Sequence, residues 1–109
     1  MTHKEISQMI ASAGLPYAYY QFPEATPQAP PFICFFYSST DDFFADDINF
    51  QGIVQLNIEL YTSNKDFDLE ASLEEILKNN NLTYYKEENY IDSEKFFQIA
   101  YEMEVIING

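Results

Sequence analysis

The chain has 109 residues and a formal net charge of −13, set by eighteen acidic side chains against five lysines and no arginine. Ten Phe and nine Tyr are too many for a disordered acidic tail, so the composition predicts a folded domain with a strongly negative surface. Such a surface repels phosphate, which argues against groove readout of DNA and adhesion to anionic lipid, and the missing guanidiniums remove the usual forks for phosphate and carboxylate ligands.

Residues 3–13 read as a short helix. Ile6, Met9, Ile10 and Ala13 recur at helical spacing, and Thr2 with Glu5 has the form of a capping box. Gly14 fits the C′ position and Pro16 forbids continuation. Residues 17–22 read as a short extended segment, and 23–31, with four of the five prolines, as a loop. Residues 32–38 are almost wholly apolar and read as a strand buried on both faces. Residues 39–49 read as an exposed loop or the tip of a long hairpin. Residues 54–61 alternate cleanly, Val54, Leu56, Ile58 and Leu60 inward and Gln55, Asn57, Glu59 and Tyr61 on a wet face.

Asp66 is placed to cap a helix running to about Asn79, with Leu69, Leu73, Ile76 and Leu77 as its core stripe and Asn79–Asn81 as its stop. Residues 82–90 read as a strand, 91–95 as a turn, and 97–106 as a long C-terminal strand. The order helix, strands, helix, strands predicts one α+β domain over residues 1–109, with two helices packed on a mainly antiparallel sheet. At this size the core has little margin, and self-repulsion lowers it further. The surplus Phe and Tyr are therefore expected to serve an interface between subunits.

Chemistry-bearing residues are sparse. Cys34, the only cysteine, lies in an apolar strand and reads as a small buried hydrophobe; a lone cysteine forms no intrachain disulfide, which fits a reducing compartment. His3, the only histidine, has no neighbouring ligand residues and reads as solvated. Asp41, Asp42, Asp46 and Asp47 surround Phe43 and Phe44, but lack the glycine and the closing glutamate that a calcium loop needs. As a group these six residues read first as a solvated acidic loop and, in the alternative, as a partner or self-interface, aromatic anchors in an acidic rim. Glu102 and Glu104 share a strand face with Glu59 as a possible cross-strand neighbour, and read as solvated. No nucleotide, zinc-protease or nucleophile-elbow motif occurs. The expectation is a protein that is not an enzyme, with no catalytic, cofactor or metal residues. No secretory leader or membrane span is expected.

The segments GLPYAYYQFPE (14–24), APPFICFFY (29–37), DDFFADD (41–47), LNIELYT (56–62) and YEMEVII (101–107) resemble a family of small proteins from long-tailed phages and prophages of Gram-positive bacteria. These are the tail terminators, also called tail-to-head joining or tail completion proteins. The resemblance spans nearly the whole chain and carries no active site. It implies an α+β sandwich forming a hexameric ring that caps the tail tube and meets the head connector. It also implies residence in the virion after assembly in the host cytoplasm. A neighbouring neck or minor capsid protein would read much the same. The competing class is an acidic DNA mimic, which calls for carboxylates in two rows; here they are spread over loops, helices and strands.

Overall fold

The computed structural model describes residues 1–44 and 50–108, with side chains outside 40–51. Its elements are α1 (His3–Ala11), β1 (Tyr17–Tyr19), β2 (Phe32–Phe44), β3 (Phe50–Thr62), α2 (Phe67–Asn79), β4 (Tyr85–Ile91) and β5 (Phe96–Asn108). One five-stranded sheet runs in the order β1-β2-β3-β5-β4, with β1 and β2 parallel and every other pair antiparallel. This is the expected α+β class, two helices on a mainly antiparallel sheet.

The helices start where their caps dictate. The Thr2 hydroxyl accepts from the Glu5 amide while the Glu5 carboxylate accepts from the Thr2 amide, closing the capping box. Asp66 accepts from the Leu69 amide at 3.0 Å. Helix α1 stops at Ala11, earlier than the residue 13 expected. Ser12 is its C-cap, so Ala13 takes the C′ position expected for Gly14, and Gly14, at φ +76°, turns the chain one position beyond it. Asn80 caps α2, and Asn81 takes the left-handed conformation at φ +58°.

Both helices cover the same face of the sheet. Ile6, Met9 and Ile10 of α1 and Leu73 and Leu77 of α2 pack on Ile33 and Phe35, on Val54, Leu56, Ile58 and Leu60, and on Ile99, Tyr101, Met103 and Val105. All four inward residues of β3 are buried, as their alternation predicts. Leu69 and Ile76 flank this core half-buried.

Three expectations are corrected. Residues 39–44 are strand and not loop: the β2–β3 pairing runs out to Phe44↔Phe50, as in the long-hairpin reading. A register shift between Tyr37 and Ser39 resets β2, so odd residues of its inner half and even residues of its outer half stand opposite the even positions of β3. The strand expected from residue 82 begins at Tyr85. The outer face of β3 is not wet, since Asn57 is buried and Gln55, Glu59 and Tyr61 are half-buried.

The sheet is ragged at one end. Strand β1 covers only Ile33–Phe35, so Ser39–Phe44 pairs with β3 alone, with no strand on its other side among the described residues. Strand β4 reaches only Glu102, and beyond it Met1 lies along β5, its ammonium donating to the Ile106 carbonyl and its carbonyl accepting from Asn108.

Candidate functional site: the uncovered sheet face

On the face opposite the helices, the proline-rich loop and the β4–β5 turn border a cleft of about 570 Å³. The register builds its floor. Cys34 of β2 stands opposite Glu59 of β3, Phe32 opposite Tyr61, and Tyr61 opposite Gln98 of β5. Phe32 stacks on Tyr61 with centroids 4.8 Å apart, while Phe22 from the loop and Phe96 from β5 meet Phe32 edge-on. Tyr20 packs edge-on against Phe36 from a positive φ of 70°, where its neighbours Tyr19 and Gln21 close a three-residue turn by a 2.9 Å hydrogen bond. A large side chain in that conformation is uncommon, and it is held by its own amide donating to Phe35.

One carboxylate sits among these rings. Glu59 Oε1 accepts from the Tyr61 hydroxyl at 2.9 Å, and Oε2 accepts from Gln98 Nε2 at 3.1 Å. Burial raises the Glu59 pKa, with the Tyr61 hydrogen bond opposing it in part. Burial also pushes the Cys34 thiol up to about 11, with the Glu59 charge adding to the effect. Cys34 therefore stays a thiol at neutral pH, and its alkylation at pH 8 is expected to be about 100-fold slower in the native protein than in denaturant. Equal rates would mean that the loop leaves the cleft floor open to reagents.

A second polar cluster ties α2 to the sheet. Glu70 is 2% exposed, and its two oxygens lie 2.6 Å from Lys65 Nζ and 2.9 Å from Lys86 Nζ. Lys86 also reaches Glu74 at 2.7 Å, Lys65 pairs with Glu88, and the buried Tyr101 hydroxyl donates to Glu74 at 2.7 Å. Burial alone would raise the pKa of both Glu70 and Glu74. The lysines, joined at Glu74 by Tyr101, outweigh it, and both carboxyls sit below their ordinary value. These groups satisfy one another, so the cluster reads as a brace and not as a reactive site.

Of the residues singled out in the sequence, the structure brings Cys34 and Glu59 into this cleft and leaves the other described ones outside it. Asp41, Asp42, Phe43 and Phe44 lie on outer β2, in register with Ile53, Gly52, Gln51 and Phe50; Asp46 and Asp47 lie outside the described residues. Glu102 and Glu104 are exposed on the uncovered face, opposite Asn57 and Gln55, whereas Glu59 stands opposite Ala100. His3 is exposed and hydrogen-bonded to the Tyr37 hydroxyl. Local spacing does not reveal the cleft because residues as distant in sequence as Tyr20 and Phe96 build it; the run of aromatics at Tyr20, Phe22, Phe32 and Phe36 is its one visible sign.

No protein-family model and no curated protein matches the chain. Among solved structures it is similar to a chain from the virion of a native gene transfer agent particle. The likeness covers 93% of this chain and 84% of that one, at 13% identity and a TM-score of 0.58. It is a likeness of fold.

Proposed function

We propose that this chain is a structural protein of a phage-like virion, a tail terminator or head–tail joining subunit that acts by assembly and not by catalysis. The observation that carries the reading is the fold shared over 93% of the chain with a component of a gene transfer agent virion. In this role subunits close into a ring, six in the resembled family, between the tail tube and the head connector. The ring is assembled in the host cytoplasm and retained in the virion. The −13 charge suits a passage through which DNA must slide, because carboxylates near a lumen repel phosphate. The DNA-mimic alternative is weakened because Glu70, Glu74 and Glu88 are engaged by lysines and not presented to a partner.

In this reading outer β2, with Phe43 and Phe44, contacts the neighbouring subunit. Burying one phenylalanine at an interface is worth roughly 1.5–3 kcal/mol before association costs. Replacing both by alanine is expected to leave the monomer folded and to abolish joining of tails to filled heads, scored as infectious or transducing particles. Normal particle yield would remove this segment from the interface. The role itself is tested by solution mass over a range of concentrations, negative-stain images and deletion of the gene. Rings and a joining defect are expected; unchanged joining after deletion would end the reading.

A further inference from the structure

Glu59 lies in an aromatic cleft with no cation beside it among the described residues. Its two oxygens take one neutral donor each, leaving lone pairs of a carboxylate unused. The lining holds a second carboxylate, Glu94, at the rim, and no lysine. An apolar occupant would strip water from Glu59 and return nothing for it. An occupant that carries a positive, planar donor group answers both features at once: it forks to the carboxylate and lies flat against Phe32, Tyr61 and Phe96. The cleft volume of about 570 Å³ lies within the roughly 300–1,000 Å³ of ligand sites.

We infer that this cleft receives an arginine side chain from a segment of another protein. A second copy of this chain is a poor donor. It has no arginine, two of its five lysines are held by Glu70, Glu74 and Glu88, and it brings a further −13 of charge. The inference does not depend on the virion role, and ring images do not test it.

The test is titration of the isotope-labelled full chain with acetyl-Leu-Arg-Leu-amide, against the same peptide carrying neutral citrulline and against spermidine. Saturable shifts are expected at the Gln98 side-chain amide and at the backbone of Cys34 and Tyr61. The citrulline peptide is expected to bind about tenfold or more weakly, the loss of one charge-assisted fork. Glu59→Gln should erase that difference, whereas Glu87→Gln, on an exposed strand position, should keep it. Should Glu59→Gln not fold, the native protein still decides: Tyr20, Cys34, Tyr61, Glu59 and Glu94 are the titratable groups among the described residues of the cleft. Burial raises the Glu59 pKa, so arginine binding should weaken in mild acid while citrulline binding holds. Equal affinity for the two peptides, shifts spread to Glu102 and Glu104, tighter binding of spermidine, or arginine binding unchanged in acid would each overturn the inference.

Discussion

Ile58→Ala is expected to lower the stability of the fold by about 2–5 kcal/mol, the range for deleting a large aliphatic side chain from a core that cannot fully collapse. Ile58 is fully buried at the middle of the central strand, with Phe35 of β2 and Tyr101 of β5 as its register partners and the helices above. None of these neighbours can move into the void without giving up its own packing. For a domain of this size each kcal/mol moves the melting temperature by about 4–8 °C, so the loss is readable by calorimetry or by the urea midpoint. The same substitution at the exposed Ile106 should stay within about ±0.5 kcal/mol. Equal losses would mean that the inward face of the sheet has been misassigned.

Glu70→Ala is the second large effect. It removes the buried carboxylate that Lys65 and Lys86 share and leaves them only Glu88 and Glu74, and removing one partner of a buried pair generally costs about 3–5 kcal/mol. Here the lysine side chains keep 24% and 38% of their surface in water, which brings the expectation down to about 2–3 kcal/mol. The pH dependence has a definite sign. Glu70 and Glu74 are both depressed, so their contribution is fully present above the ordinary carboxyl value of 4.5 and is lost as pH falls through their lower folded values. Lys65 and Lys86 are both raised, so theirs is present below 10.5 and lost as pH climbs through their higher folded values. Glu59 runs the other way from Glu70: its pKa is raised, and protonation on acidification relieves a penalty. Glu70→Gln should therefore flatten the acid limb of a stability–pH profile below about pH 4.5. An unchanged limb would show that other carboxylates govern acid unfolding.

What could be read in advance follows the physics of each element. The period-two pattern of β3 was legible because its even residues meet one continuous apolar layer, and the caps of both helices were legible because capping is local. The half-burial of Glu59 and Tyr61 was not, since it depends on a loop some thirty residues upstream folding back over them. Glu70 did leave a trace. It lies three and seven positions before Leu73 and Leu77, on the buried stripe of α2, where an acid is out of place unless a cation comes to meet it. The cations arrive from Lys65 and from Lys86 on an edge strand, and no spacing rule links them. Outer β2 was hidden by its polarity: the pairing that makes it a strand comes from β3, and the bulge between Tyr37 and Ser39 breaks the alternation that would have marked it.

The unpaired margin of outer β2 has a consequence for handling the protein. A row of backbone amides and carbonyls with no neighbour is a template for lateral growth of a sheet, and charge is the ordinary means of keeping two such rows apart. Here that protection is the net negative charge of the chain, which falls to zero at the isoelectric point of about 4.1. A preparation taken through that pH is expected to turn turbid as margins of different molecules join. Purification and storage above pH 6 keep the colloid dispersed.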